Sequence, residues 1–264
     1  MGLFRTLANS LFKPLGYTVI KTASTTRTQK STIYKYASSL NQTLYLDHGP
    51  KALKGPFKGA LVTNPNKSAV VSDYAARLLG EYEAEIQKAI VDGLNRKPSA
   101  AINVGTSDGY YVSCIRQLAP DILIIGYEIS DTAREACRDL MTSDKQLELK
   151  GAADPQNFAA DLKQHPDALV IMDIEGNETI LTELDASMLS QATFIVELHE
   201  PAVPGITKRL LEHFSDTHDV SILEQSGRNP FQHSELSSFD SSEKFLLLCE
   251  FRGAHQSWLV AVPK

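Results

Sequence analysis

A glycine-rich turn between an apolar strand and a helix constrains the fold of this chain more than any other feature. Residues 101–112 read AINVGTSDGYYV, so an apolar run leads into Gly105 and Gly109, and a helical pattern follows. A second apolar run, residues 122–127, ends at a lone acid, Glu128. Strand, glycine turn, helix and strand with a distal carboxylate form a nucleotide-binding βαβ unit. In such a unit the helix N-terminus offers free N–H groups and the carboxylate accepts from ribose hydroxyls.

The spacing of the glycines indicates which kind of nucleotide binds. Dinucleotide-binding folds use G-x-G-x-x-G, which seats a pyrophosphate on the helix N-terminus. Here the turn is G-x-x-x-G and contains Asp108, whose negative charge would repel a phosphate. Such a turn tolerates a ligand that carries an ammonium and a sulfonium group. S-adenosylmethionine carries both, and we therefore predict it as the bound nucleoside.

Strands and helices alternate from residue 73 to the C-terminus. Strands are predicted near 101–104, 122–128, 146–150, 168–173, 193–199, 219–223 and 258–262. Helices are predicted near 73–93, 109–118, 130–141, 155–164, 177–187 and 204–215, with Asp131 and Asn177 as two of the N-caps. Residues 244–251 fit either a strand or a short helix. Because most strands are continuous apolar runs, we predict a doubly wound α/β fold with a mostly parallel sheet buried on both faces.

Charge is divided unevenly along the chain. Residues 1–60 contain nine Lys and Arg residues against one acid, Asp47, which is a net charge of +8. The whole chain carries −6, so the remainder carries −14. We predict a basic, Ser/Thr-rich arm or cover over residues 1–70 and one acidic domain over residues 71–264. The arm either contacts something anionic, such as a membrane surface, or folds back on its own acidic domain, and both alternatives stay open.

The cysteines and the hydropathy of the chain indicate the cellular compartment in which the protein is expected. Cys114, Cys137 and Cys249 form no C-x-x-C pair and are interpreted as free thiols of a reducing compartment. No apolar run approaches the roughly 20 residues that span a bilayer. Apolar side chains between residues 3 and 15 share one helical face, which could lie in a membrane interface or dock on the protein itself. We expect a cytoplasmic protein, with peripheral contact at the inner membrane face as the alternative.

Polar side chains follow the fourth and fifth predicted strands. The fourth strand leads into IMDIEGNE, residues 171–178, and the fifth into IVELHE, residues 195–200. Ligands of parallel α/β sheets bind outside the carboxyl ends of the strands, and neighbouring strands lie about 5 Å apart. We therefore expect the acids and the histidine of both strand ends to converge beside the glycine turn: Asp173, Glu175, Glu197 and His199.

Two chemical interpretations of this group stay open. As metal ligands, Asp173, Glu197 and His199 supply oxygen and nitrogen donors that suit Mg²⁺ or Mn²⁺. Without a metal, one of three residues serves as the general base: Glu175, Glu197 or His199. In this interpretation Glu197 and His199 form a hydrogen-bonded pair that positions the base. Asp154 follows the third strand, where an acid either accepts from the amine of an adenine or only caps the next helix.

Taken together, these motifs resemble the class I S-adenosylmethionine-dependent methyltransferases, and within them the FkbM-like group. INVGTSDGYYV, residues 102–112, looks like that group's glycine turn, and MDIEGNE, residues 172–178, resembles its acidic strand end. VELHE at 196–200 and CEFR at 249–252, followed by Trp258, add to the likeness. The resemblance spans about residues 74–262 and leaves the basic arm unexplained.

The resemblance implies a seven-stranded Rossmann-like sheet and a set of donor-binding residues. The set is Asn103, Gly105, Ser107, Asp108, Gly109, Tyr110, Glu128, Asp154 and Asp173. Glu128 would meet the ribose and Asp154 the adenine. Asn103 stands where many such enzymes have an acid, so Asp108 or Asp173 would supply the charge that pairs with the donor's ammonium.

The implied reaction is methyl transfer, most often to a hydroxyl of a sugar, a glycolipid or a small natural product. Glu197 or His199, with or without a metal, would take the acceptor's proton, and Glu83 would close over the site. Two other functions stay open: a donor-binding module without catalysis that docks on an anionic partner, and an N-methyltransferase acting on protein or nucleic acid. Nucleic acid is disfavoured because residues 61–264 are acidic and contain no N-P-P-Y motif.

Overall fold

The computed structural model of the chain describes residues 22–66 and 73–264, with side chains from residue 32 onward in those ranges. The predicted membrane-interface helix between residues 3 and 15 lies outside the described residues. Seven strands form one sheet in the order β3-β2-β1-β4-β5-β7-β6. They are β1 (Ala100–Val104), β2 (Leu123–Tyr127), β3 (Leu147–Lys150), β4 (Leu169–Met172), β5 (Thr193–Glu197), β6 (His218–Glu224) and β7 (Ser257–Pro263). β7 pairs antiparallel with β5 and β6, and the other four strand pairs of this sheet are parallel. The predicted seven-stranded, mostly parallel sheet is therefore confirmed.

Helices cover both faces of this sheet. The α-helices are α1 (Thr22–His48), α2 (Tyr74–Leu79), α3 (Ala84–Asn95), α4 (Tyr110–Leu118), α5 (Asp131–Leu140), α6 (Pro155–Gln164), α7 (Ala186–Leu189), α8 (Ile206–Phe214) and α9 (Ser241–Leu247). In the described part of the chain, three 3₁₀ helices span Glu178–Glu183, Pro230–Gln232 and Ser234–Leu236. Successive strand residues point to opposite faces, so Ala101 packs with α1–α5 and α9, whereas Ile102 packs with α6–α8. Burial on both faces is what the continuous apolar strands predict.

Several predicted helix boundaries are corrected. The single helix predicted over 73–93 breaks after α2, because Gly80 adopts φ +72 and Glu83 adopts φ +43. A Cβ on Gly80 would lie 2.7 Å from the carbonyl oxygen of Lys54, so this break lets two backbone segments touch. The segment predicted as a helix over 177–187 is a 3₁₀ helix followed by the short α7. Residues 244–251 are helical only as far as Leu247, where α9 ends.

Two predicted N-caps are corrected as well. Ser130, and not Asp131, caps α5, because the Ser130 hydroxyl accepts a hydrogen bond from the backbone N–H of Ala133. Asn177 precedes the 3₁₀ helix, but its side chain makes no capping hydrogen bond. Ser and Asp are both good N-caps, so the sequence alone could not place the boundary within one residue.

Within the predicted arm or cover, residues 22–48 form the helix α1, and residues 49–66 follow as turns and coil. α1 contacts α2 and α9, and its buried side chains, including Ala37, Leu40 and Leu44, join the core on that face of the sheet. Their spacing puts one narrow apolar stripe on an otherwise polar helix, which is a weak sequence signal. No helix among the described residues is long and apolar enough to cross a membrane. The domain boundary at residue 70 stays a prediction.

Candidate donor and active site

A cavity of about 430 Å³ opens at the carboxyl ends of β1 to β4. Its volume lies within the range of small-molecule sites, about 300–1,000 Å³. Apolar walls come from Ile129, Ala153, Ile174 and Ile180, and five acids line it: Glu128, Asp154, Asp173, Glu175 and Glu183. Within the described residues, no lysine, arginine or histidine belongs to the lining. The cavity therefore favours a cationic ligand and disfavours a pyrophosphate.

Gly105 joins the end of β1 to the end of β4 at the floor of the cavity. Its φ is +87, and a Cβ at this position would lie 1.8 Å from the carbonyl oxygen of Asp173. The N–H of Asp173 donates to the carbonyl of Val104 at 2.9 Å, so the two backbones are bonded at the point of contact. Only glycine fits here, and this contact brings Asp173 to the cavity.

Glu128 is held by two backbone donors at the end of β2. Its Oε2 accepts from the N–H of Ser107 at 2.9 Å, and its Oε1 accepts from the N–H of Ser130 at 2.8 Å. A carboxylate offers about four acceptor sites, so two bonds leave capacity for hydroxyl donors in the cavity. The carboxylate is thus fixed in place and still able to bind a ribose diol.

Asp154 fulfils one of its two predicted roles by direct contact. Its Oδ1 accepts from the N–H groups of Gln156 and Asn157, each at 2.9 Å, and it forms a capping box at the start of α6. Asp154 also lines the cavity, opposite the glycine turn along the sheet edge. The capping contact fixes this side chain beside the apolar wall formed by Ala153, where a planar ring would pack.

Asp108 in the glycine turn and Tyr110 at the start of α4 face the protein interior, which removes two predicted donor-binding residues from the cavity. Asp108 is fully buried, and Arg77 Nη1 donates to both of its carboxylate oxygens, at 2.9 and 3.0 Å. The ring of Tyr110 lies 4.9 Å from the Arg77 guanidinium carbon and is buried. The charge that the sequence analysis assigned to Asp108 is therefore neutralised, and the acidity of the cavity comes from other residues.

Three further predicted donor-binding residues lie beside the cavity without lining it. Asn103 is buried between strands, where its Nδ2 donates to the carbonyl of Ile171 at 3.4 Å. Ser107 contributes its backbone N–H to Glu128, as described above. Gly109 has φ +93, and a Cβ there would lie 2.8 Å from Cys137 Sγ, so it lets α4 pack closely on α5. These residues shape the turn, and of the predicted donor set Gly105, Glu128, Asp154 and Asp173 line the cavity.

His199 forms a dyad with Glu178 at the edge of the cavity. Its Nδ1 lies 2.7 Å from Oε1 of Glu178, which is fully buried and also accepts from the N–H of Gly176 at 3.1 Å. The other ring nitrogen, Nε2, lies 3.7 Å from Asp173 Oδ1 and 3.5 Å from Glu175 Oε2. A carboxylate on Nδ1 fixes that nitrogen as the donor and leaves Nε2 as the basic atom. The predicted pairing of His199 with Glu197 is replaced by this one.

Charges around the dyad set the basicity of His199. Burial lowers its pKa, but the hydrogen bond that it donates to Glu178 and the charges of Glu178, Asp173 and Glu175 outweigh burial, so the pKa is raised. The pKa of Glu178 is lowered, because its bonds to His199 and to backbone N–H groups outweigh its own burial. Glu178 therefore stays ionised and supports the imidazolium form of its partner.

Glu197 lies in a buried cluster of acids with one arginine. Burial, together with the charges of Asp173 and Glu83, raises the pKa of Glu197 to about 10. The pKa of Asp173 is raised to about 6, mainly by burial and the charge of Glu83. Arg252 Nη1 donates to Glu197 Oε1 at 2.7 Å. Glu197 is thus a neutral acid near pH 7, which makes it a poor base compared with His199.

The predicted metal ligands fall into two groups. Of the residues the structure describes, Asp173, Glu175 and His199 bring donor atoms within 4.8 Å of one another, and so do Glu83, Asp173 and Glu197. The predicted set of Asp173, Glu197 and His199 is therefore shared between two clusters that meet at Asp173. Glu197 is already bound by Arg252, so the three predicted ligands do not form one open metal centre. The contact of Glu178 with Nδ1 of His199 does not count against a metal, because metal-binding histidines commonly donate their other ring N–H to a carboxylate.

Sequence reasoning missed the residues that complete the site through distant contacts. Glu178 was quoted only as part of a motif, and Arg252 only as part of a resemblance and as a residue that could border a substrate pocket. Thr179 and Glu183 line the cavity from the 3₁₀ helix and were not singled out, and Asn177, predicted only as an N-cap, also lines it. One signal was available: EGNE at residues 175–178 places acids after the predicted strand that neighbours the strand end with His199.

Comparisons with known proteins give a likeness in fold. No protein-family model and no curated protein sequence matches the chain. Among solved structures, it is similar to a candidate O-methyltransferase from Klebsiella pneumoniae, with a TM-score of 0.44, 12% identity and coverage of 98% of this chain and 97% of that one. It is also similar to the O-methyltransferase TomG from Streptomyces achromogenes, with a TM-score of 0.45, 13% identity and coverage of 86% and 89%.

A third similar structure is a precorrin-6y C5,15-methyltransferase from Geobacter metallireducens. Its TM-score is 0.44 at 12% identity, over 68% of this chain and 87% of that one. Identities this low and TM-scores below 0.5 say nothing about the activity of the present chain. The resemblance to the FkbM-like group stays a prediction.

Proposed function

We propose that this protein is an S-adenosylmethionine-dependent methyltransferase that methylates a hydroxyl of a sugar, a glycolipid or a small natural product. One observation carries the proposal: a cavity lined by five acids and, among the described residues, by no basic side chain lies directly beside the His199–Glu178 dyad. An acidic cavity suits a cationic nucleoside, and the dyad supplies a base at its edge.

The cavity residues fit the parts of this donor. The fixed carboxylate of Glu128 accepts from the two ribose hydroxyls, and Asp154 with the apolar wall at Ala153 and Ile180 takes the adenine. Asp173 lines the cavity and its side chain is 36% exposed, so its carboxylate can accept from an ammonium. The donor supplies a methyl group on a sulfonium. The protein's task is to hold this group and the acceptor in line.

The dyad prepares the acceptor. A neutral hydroxyl is a poor nucleophile, so a base within reach of its proton is needed. Neutral His199 accepts that proton at Nε2, while Glu178 holds the ring through Nδ1 and stabilises the charge that forms. Glu175 and Asp173, which face Nε2, stabilise the same charge.

Calorimetric titration tests the donor site. We expect the protein to bind S-adenosylmethionine and S-adenosylhomocysteine, and Glu128→Ala to weaken both by about 10- to 100-fold, because hydrogen bonds to a charged group contribute about 1.5–3 kcal/mol. Glu135→Ala is the matched control, since Glu135 is an exposed acid of α5 outside the cavity lining. Absence of binding to both nucleosides would overturn the proposed function.

The pH dependence of the rate tests the dyad. The base must be neutral, so kcat/KM should rise with pH through the raised pKa of His199. Glu178→Gln keeps an acceptor for Nδ1–H but removes the charge that raises this pKa, so the acid limb should move to lower pH. A pH–rate profile on any accepted substrate measures the shift. A limb at the wild-type position in Glu178→Gln would remove Glu178 from this role.

A further inference from the structure

We propose that the guanidinium of Arg252 is the built-in cation of the Glu83–Asp173–Glu197 cluster and occupies the place that a divalent metal ion would need. The inference concerns the binding of ions and is independent of the proposed function. The first observation is the set of contacts that Arg252 makes. Its Nη1 donates to Glu197 Oε1 at 2.7 Å, and its Nη2 donates to Glu83.

Two more hydrogen bonds of Arg252 bring the number of its N–H groups in use to four of five. Nε and Nη2 donate to Oε2 of Glu250 at 3.2 and 3.1 Å. The side chain of Arg252 is 14% exposed, whereas those of its three acidic partners are at most 3% exposed. Guanidinium is planar and weakly hydrated for a cation, which suits it to a buried group of carboxylates. The arginine is therefore inserted between the acids and is not a surface ion pair.

The cluster has the geometry of a metal site once the arginine is removed. Glu83, Asp173 and Glu197 bring one oxygen each within 4.8 Å of one another. Oxygen sets of this kind suit Mn²⁺ and Mg²⁺. A divalent ion here would share Glu83 and Glu197 with a guanidinium in direct contact, and the two cations repel each other in a buried place. Metal and Arg252 thus exclude one another.

The loop between α9 and β7 keeps the arginine in position. Phe251 adopts φ +53, and its ring lies 4.7 Å from that of Tyr34 on α1. On the side of the loop that faces the protein interior, the guanidinium carbon of Arg252 lies 5.6 Å from the centre of the Trp258 ring and 5.8 Å from that of Tyr82. Rings on both sides of the loop hold Arg252 against the acids, so the cation is part of the fold.

Titration of the full chain with Mn²⁺ tests the inference, with the electron paramagnetic resonance signal of the free ion as the readout. We expect the wild type to show no Glu197-dependent Mn²⁺ site up to about 1 mM, the weak end of protein divalent-cation sites. Arg252→Met should gain one Mn²⁺ site, and adding Glu197→Gln should remove it. Arg228→Met is the matched control, because Arg228 pairs with Glu85 and Glu250 and should create no such site.

Two results would overturn the inference. One is a wild-type Mn²⁺ site that Glu197→Gln abolishes, which would mean that metal and arginine coexist. The other is a folded Arg252→Met variant, verified by circular dichroism, that gains no Mn²⁺ site. The wild-type titration decides the question even if Arg252→Met does not fold. Since no readout depends on methyl transfer, failure here is distinguishable from failure of the proposed function.

Discussion

Replacing His199 by alanine is expected to lower turnover by about 10²–10⁴-fold, the usual contribution of a positioned general base. The affinity for S-adenosylmethionine should stay nearly unchanged, because His199 does not line the cavity. Single-turnover rates with calorimetric donor binding measure the two effects separately. A His199→Ala variant with wild-type turnover would show that the dyad takes no part in the reaction.

Two other variants sharpen this result. Glu197→Gln should lose no more than about tenfold in turnover, because Glu197 is already neutral near pH 7 and an amide resembles its protonated form. Glu128→Ala should behave in the opposite way to His199→Ala, losing donor affinity first. If Glu197→Gln instead falls as far as His199→Ala, the base is Glu197, which was the other prediction from the sequence.

Gly105→Ala is expected to destabilise the protein by more than about 4 kcal/mol, which is an exceptional cost for one methyl group. The new Cβ would lie 1.8 Å from the carbonyl oxygen of Asp173, and alanine would have to adopt φ +87. Either β1 and β4 separate at their ends or the turn changes course, and both disrupt the cavity floor. Urea unfolding monitored by circular dichroism gives the change in free energy of unfolding.

Gly151→Ala provides the matched control for that measurement. A Cβ at Gly151 meets no atom within 4 Å, and this glycine also follows a strand of the same sheet, β3. We expect its stability to lie within about 1 kcal/mol of wild type. Equal stabilities for the two glycine variants would contradict the close contact between β1 and β4.

The features that sequence predicts best here are those encoded over a few neighbouring residues. The strands predicted near 101–104 and 122–128 are observed at Ala100–Val104 and Leu123–Tyr127. Continuous apolar runs ended by glycine or by a lone acid suffice to locate such strands. Asp173, Glu175 and Glu128 also lie at strand ends beside the cavity, as the parallel topology requires.

The features that the sequence could not supply depend on pairs of distant residues. Arg77 binds Asp108 across 31 positions, and Glu83 binds Arg252 across 169. In neither case does local spacing tell which way the side chain points, so Asp108 was assigned to the ligand although it belongs to the interior. The same limit applies to α1. Its polar composition does not predict a helix, because the helix is stabilised by packing of its narrow apolar stripe on the core.

Because β7 runs in the opposite direction to the other strands, sequence changes near the site fall into two separate regions of the chain. β6 ends and β7 begins at the same edge of the sheet. The connection between them, residues 225–256, therefore leaves and rejoins the sheet beside the site. The residues that line the cavity lie instead at the ends of β1 to β4 and on the connections that follow them. We expect β6–β7 connections that retain Arg252 and Glu250 to be exchangeable in chimaeras without loss of donor affinity, so that the other residues of this connection can change while the cavity stays intact.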